Sequence, residues 1–183
     1  DKFDLPRDRP ILNSLQSTFK YLPRNDWTYA EIAKRHPEAF IVLVGHMGNG
    51  SVAEGLYQRL RPHFEHRGLE IEHHLRILPR LEYGDFMGLF AISHHTIDTI
   101  DWNGGNSSMQ SFSLDCPVVT LPTAFMRGRH TVAMLEVLEL PELIASNVDD
   151  YVAISCRLLD DEGFYQQMRD NIRERKPRLF HDK

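Results

Sequence analysis

Two glycine-containing loops in this 183-residue sequence carry residue types that bind phosphate. The first, Gly48-Asn49-Gly50-Ser51-Val52-Ala53, matches the GxGxxA pattern of a dinucleotide-binding turn. Glu70 or Glu72 follows about 20 residues on, where an acidic group would meet a ribose. Its context is poor, because the preceding apolar run stops at Val44 and the inserted Gly45-His46-Met47-Gly48 loosens the tight turn that the pattern needs. The second loop is Asp98-Thr99-Ile100-Asp101-Trp102-Asn103-Gly104-Gly105-Asn106-Ser107-Ser108-Met109. Here Gly104 and Gly105 let backbone approach a diphosphate, while Ser107 and Ser108 offer hydroxyl and amide donors in the first turn of a helix. A helix N-terminus favours an anion by roughly 0.3 to 1 kcal/mol when exposed. An ordinary surface turn at Asn103-Gly104, with Ser107 as a simple N-cap, fits the same composition.

Other reactive groups are less organised. Ten histidines include the pairs His73-His74 and His94-His95, but none has the i, i+4 spacing around a Glu that a helical zinc site uses, and adjacent strand residues point to opposite faces. No metal site is expected. His46 and His130 are polar groups near strand ends, and His130 lies in the segment Phe125 to His130, whose Arg127 and Arg129 are able to approach a sugar or phosphate; none of these is read as catalytic. Cys116 and Cys156 lie in hydrophobic stretches and do not make a disulfide framework, which fits a reducing cytoplasm. The net charge of -5 argues against nucleic-acid binding, which needs clustered Lys and Arg. The basic run 173–178 reads as a solvated helix end. No apolar run approaches the roughly 20 residues of a membrane span, and the first residues do not read as a signal peptide. The polar, proline-containing stretch from Asp4 to Pro10 resembles a linker, so the sequence reads as a piece of a longer chain.

The elements that must position these loops alternate. Apolar runs at 40–44, 75–78 and 118–121, with shorter strands opening at Ile11-Leu12 and over 96–99, read as buried parallel strands. Helices are expected over 27–36 with Asp26 as N-cap, from Ser51 to about Gly68 with capping-box spacing to Glu54, over 82–92, from near Ser107, and over 129–138, 149–159 and 162–173. Such alternation makes one α/β domain over 1–183, a Rossmann-like doubly wound parallel sheet with C-terminal helices, whose ligands sit beyond the carboxyl ends of the strands.

The run Asp98-Thr99-x-x-x-Asn103-Gly104-x-x-x-x-Met109, followed by Cys116-Pro117-Val118-Val119-Thr120-Leu121-Pro122, resembles the catalytic region of O-linked N-acetylglucosamine transferases with tetratricopeptide repeats. Phe19-Lys20-x-x-Pro23 upstream, and the tetrapeptide Glu142-Leu143-Ile144-Ala145 and the helix at Asp149-Asp150-Tyr151 downstream, extend the similarity from about Asn13 to Phe180. The resemblance implies the C-terminal, donor-binding half of a GT-B glycosyltransferase of bacterial type.

Carried residue by residue, it implies Lys20 as the catalytic cation against the donor pyrophosphate. The phosphate loop falls on Gly104, Gly105, Asn106, Ser107 and Ser108, where relatives have His-Thr-Thr at 105–107. Gln110 stands where the family has an acidic residue on the ribose. Uracil would stack on Phe86, beside the Leu81 backbone and the Tyr83 side chain. The implied ligand is a UDP-sugar, carrying N-acetylglucosamine or another hexose, used with inversion and without a metal or other cofactor. The implied partners are an N-terminal GT-B lobe, tetratricopeptide repeats and a protein or peptide acceptor. Two other readings stand beside it. One is a non-catalytic scaffold with a decayed nucleotide site, motivated by Gly105 and Gln110; the other is a dinucleotide domain using Gly48 and Gly50.

Overall fold

A computed structural model describes residues 2–45 and 50–180. The loop pattern at Gly48 and Asn49, with His46, falls outside the described residues. Five strands form one sheet: β1 (Ile11–Ser14), β2 (Phe40–Val44), β3 (Leu75–Leu78), β4 (His95–Ile97) and β5 (Val118–Val119). Their order is β3-β2-β1-β4-β5, and every pairing is parallel. This is the expected doubly wound α/β sheet, and its order reverses between β1 and β4.

Parallel strands need a crossover each, and the chain supplies helices: α1 (Trp27–Arg35), α2 (Gly50–Glu65), α3 (Tyr83–Ile92) and α4 (Asn106–Ser113). β2 shows why both faces must be covered. Its alternate residues Phe40, Val42 and Val44 pack with Leu89 and Phe90 of α3, while Ile41 and Leu43 join the cluster containing Ile32 of α1 and Leu56, Leu60 and Phe64 of α2. A continuous apolar run is the sequence form of a strand buried on two sides. Beyond β5 come α5 (His130–Val137), α6 (Val148–Asp160), α7 (Glu162–Arg175) and the short α8 (Pro177–Phe180).

Two local readings are corrected. Asp26 precedes α1 but makes no capping hydrogen bond. Its carboxylate is buried and accepts from Arg59 Nε at 2.6 Å and Arg59 Nη2 at 3.1 Å. A guanidinium offers two charge-assisted donors, and it outcompetes the backbone amides for this acid. The basic run 173–178 is more than a solvated helix end. Lys176 Nζ donates to Asp115 Oδ1 at 2.7 Å and to the Ser113 carbonyl at 2.9 Å, and Arg173 Nε reaches Asp115 Oδ2 at 3.0 Å. These cations tie the end of α7 to the C-terminus of α4, where a positive charge also meets the negative end of the helix dipole.

Strand and helix limits differ from the sequence reading by one to three residues, α2 ending at Glu65 and not near Gly68. β4 ends at Ile97, so Asp98 lies just past it, and Thr120 makes an isolated bridge to Ile144 instead of continuing β5. Cys116 and Cys156 are free and buried. Among the described residues no helix is long and apolar enough to cross a membrane.

Candidate functional site

The switch point of a doubly wound sheet leaves a crevice, because the crossovers on its two sides run to opposite faces. Here the chain leaving β1 and the loop leaving β4 meet at that point. A cavity of about 390 Å³ is lined there by Gln16, Lys20, Phe86, Gly105, Asn106, Ser107 and Gln110, with Val44 and Gly45 from the end of β2. Residues 91 positions apart touch across it: Gln16 Nε2 donates to Ser107 Oγ.

Lys20 sits in a short 3-10 turn, Thr18–Lys20. Its Nζ donates to Gln16 Oε1 at 2.8 Å and to the Asn103 carbonyl at 3.1 Å. Partial burial pulls its pKa below the usual lysine value, and the charge of Asp98 opposes that shift. Both acceptors of its hydrogen bonds are neutral, and the Asp98 carboxyl is the acid whose charge acts on it.

The β4–α4 loop is fixed from several sides. Asp101 adopts φ 74°, a left-handed conformation unfavourable for a side-chain-bearing residue. Arg24 Nη2 at 2.6 Å and Asn25 Nδ2 at 3.2 Å hold its carboxylate. Asn103 is buried, its Nδ2 donating to the Thr99 carbonyl at 3.0 Å and its backbone N–H to the Arg127 carbonyl at 2.7 Å. At Gly104 a Cβ would stand 2.6 Å from Ser107 Oγ and 2.7 Å from Gln16 Nε2, so any other residue must displace the side chains that meet there. Gly105 has open space around it and precedes the first residue of α4 with no side-chain cap. The first amides of α4 thus lack a competing cap beside the cavity.

Asp98 is the hub beneath this loop, and sequence reasoning missed it. Its Oδ1 accepts from Gly104 N–H at 2.7 Å; its Oδ2 accepts from Thr131 Oγ1 at 2.6 Å and Thr120 Oγ1 at 3.0 Å. Tyr151 of α6 donates its hydroxyl to the Asp98 carbonyl at 2.7 Å. Burial pushes the Asp98 carboxyl up to about 6, against the opposing pull of its hydrogen bonds and of Lys20. The signal was an acid ending a buried strand, which must find donors, six residues before a glycine. Gln16 was also missed; a polar residue just beyond β1 at the switch point was its signal.

The residues expected from the sequence divide into three groups. Lys20, Gly105, Asn106, Ser107, Gln110 and Phe86 line one cavity. Gly104 and Ser108 lie buried beneath it, Ser108 Oγ meeting Thr131 Oγ1 at 2.8 Å. Leu81 and Tyr83 are not among the lining residues, and Tyr83 is 70% exposed. Phe86 packs edge-on to Phe90 with ring centroids 5.3 Å apart, at the margin of the α3 core. Among the described residues no group of three His, Cys, Asp or Glu is placed to hold a metal ion. His94 and His95 instead bond each other at 2.9 Å, with His95 Nε2 2.7 Å from Ser155 Oγ in the core.

The model of Glycosyl transferase family 41 matches residues 1–182. The chain belongs to this family. Among curated family relatives, the UDP-N-acetylglucosamine–peptide N-acetylglucosaminyltransferase of Caenorhabditis elegans is 23% identical over 180 residues, 93% of this chain and 14% of that protein. The probable enzyme of the same name, SPINDLY, of Arabidopsis thaliana is 25% identical over 122 residues, 66% of this chain and 13% of that protein. This chain therefore spans a small part of such relatives' length. A mutant O-GlcNAc transferase of Thermobaculum terrenum superposes with TM-score 0.82 and 24% identity, over 94% of this chain and 32% of that one. The UDP-GlcNAc 2-epimerase of Neisseria meningitidis bound to UDP-GlcNAc gives TM-score 0.63 at 15% identity, over 97% of this chain and 46% of that one. These likenesses establish the fold, a GT-B Rossmann-like half-domain.

Proposed function

We propose that this chain is the donor half of a glycosyltransferase that takes a sugar, N-acetylglucosamine or another hexose, from a uridine diphosphate carrier. The observation that carries the reading is the convergence of the Lys20 ammonium and the uncapped start of α4 on one cavity at the switch point. Two phosphates need positive partners, and a lysine with helix N-terminal amides supplies them without a metal ion. The names of the relatives, which specify UDP-N-acetylglucosamine and a peptide acceptor, support this donor and an acceptor hydroxyl on protein.

In this reading Phe86 supplies an aromatic face for uracil, with Leu81 and Tyr83 at the outer edge of the base, and Gln110 hydrogen-bonds the ribose. Lys20, Asn106 and Ser107 surround the diphosphate. As the glycosidic bond breaks with inversion, negative charge grows on the leaving phosphate, and the ammonium and the amides stabilise it there more than in the ground state. Residues 1–183 act as one domain. An N-terminal GT-B lobe and tetratricopeptide repeats elsewhere in the full protein supply the acceptor contacts, in the cytoplasm.

Calorimetric titration of the full-length protein tests this. UDP should bind, Lys20→Ala and Ser107→Ala should weaken it by about tenfold or more, and a nicotinamide dinucleotide should give no heat. Heat from the nicotinamide dinucleotide alone would favour the Gly48–Gly50 turn as a dinucleotide site. An absence of any nucleotide binding would favour a scaffold.

A further inference from the structure

Beneath the cavity lies a chain of buried groups that touch the loop and not the cavity. Asp98, Thr131 and Ser108 are each almost fully buried. Thr131 Oγ1 donates to Asp98 Oδ2 at 2.6 Å, so its lone pair is left to accept from Ser108 Oγ at 2.8 Å. Asp98 Oδ1 meanwhile accepts the Gly104 N–H at 2.7 Å. One carboxylate thus grips both ends of the turn: the amide of Gly104 before it and, through Thr131, the side chain of Ser108 in the first turn of α4. Gly105, Asn106 and Ser107 lie between, and all three line the cavity.

A buried carboxylate is a costly way to close a turn, because desolvation penalises its charge. Its raised pKa expresses that cost. Groups that lower stability and organise a loop at a ligand crevice are found at functional sites more than elsewhere. We infer that Asp98 is the positioning residue of the phosphate turn, holding the amides and hydroxyls of 105–107 aimed at a diphosphate by way of Gly104 on one side and Thr131 and Ser108 on the other. Thr131 is part of the device, since it relays the carboxylate to α4. This inference rests on the nucleotide-binding reading above.

The test compares UDP with uridine, which shares the base and ribose but has no phosphate, on the full-length protein. UDP is followed by calorimetry and uridine by ligand-observed magnetic resonance. Asp98→Asn and Thr131→Val remove an acceptor or the relay hydroxyl while keeping shape; Thr131→Ser keeps the hydroxyl. UDP affinity should fall about tenfold in Asp98→Asn and Thr131→Val and stay near the original value in Thr131→Ser, with uridine affinity unchanged throughout. Should Asp98→Asn fail to fold, the Thr131 pair decides alone. Failure of the unmodified protein to bind UDP defeats the nucleotide reading itself. Binding by the unmodified protein, with UDP and uridine weakened in step, or with Thr131→Val no worse than Thr131→Ser, overturns the positioning role and leaves the nucleotide reading standing.

Discussion

Lys20 Nζ lies 3.1 Å from the carbonyl oxygen of Asn103, joining the segment after β1 to the loop after β4 across the point where the sheet reverses its order. The two residues are 83 positions apart, and Lys20 itself lines the cavity.

Lys20→Met should separate charge from structure. The half-buried stem is replaced by a side chain of similar length, so thermal stability should change little. UDP affinity should fall roughly 10- to 100-fold, the worth of a charged hydrogen bond, while uridine binds as before. Calorimetry with both ligands checks this, and an equal loss for both would remove Lys20 from the phosphates.

Gly104 and Gly105 should behave oppositely. Gly104→Ala drives a methyl into Ser107 Oγ and Gln16 Nε2 and should lower both the melting temperature and UDP affinity. Gly105→Ala meets nothing within 4 Å and should be tolerated. The same space admits Gly105→His, which restores the residue of the family's His-Thr-Thr pattern and should tighten UDP binding several-fold. A Gly105→His protein that folds and binds UDP less well would count against the phosphates lying there.

Phe86→Ala should give the complementary pattern. Removing a base-stacking face costs roughly 1 to 3 kcal/mol, so uridine and UDP should weaken by the same factor. Parallel titrations decide it; loss confined to UDP would place Phe86 at the wrong end of the ligand.

The pH dependence of stability should contain two opposing limbs. Asp98 titrates at about 6 in the folded protein against 3.8 ordinarily, so the folded state holds more protons between these values. Its contribution therefore falls as pH rises through that window, in total by on the order of 3 kcal/mol. The other titratable groups near Asp98 are Lys20, Tyr21, Tyr29 and Tyr151, and burial raises all three tyrosines, which stay neutral there. His94 moves the other way: burial, then Arg169, lowers it from 6.5 to about 4, so its contribution is present above 6.5 and lost as pH falls toward 4. Urea unfolding across this range should show Asp98→Asn losing the first limb and His94→Phe, which keeps the ring stacked on Tyr165 at 3.8 Å, reducing the second, to which the buried His95 beside it also contributes. Curves that stay parallel to the unmodified protein would refute both assignments.

Much was legible in sequence because it depends on local pattern. The run Phe40 to Val44, five apolar residues closed by Gly45, has the length and flank of a strand covered on both faces. Repeated strand and helix signals imply parallel pairing, and the Asn103 to Ser108 loop shows its glycines and hydroxyls openly. What sequence left open was which distant residues meet. Asp26 has the spacing of a cap, yet Arg59, 33 positions later, claims its carboxylate. Asp98 looks like one more polar residue at a strand end until folding buries it under Gly104 and supplies Thr120 and Thr131 as donors. Strand order, and with it the meeting of Gln16, Lys20 and Ser107, follows from contacts between segments far apart in the chain. Local periodicity determines the elements; the desolvation of polar groups, which must find partners wherever the packed chain provides them, decides the site.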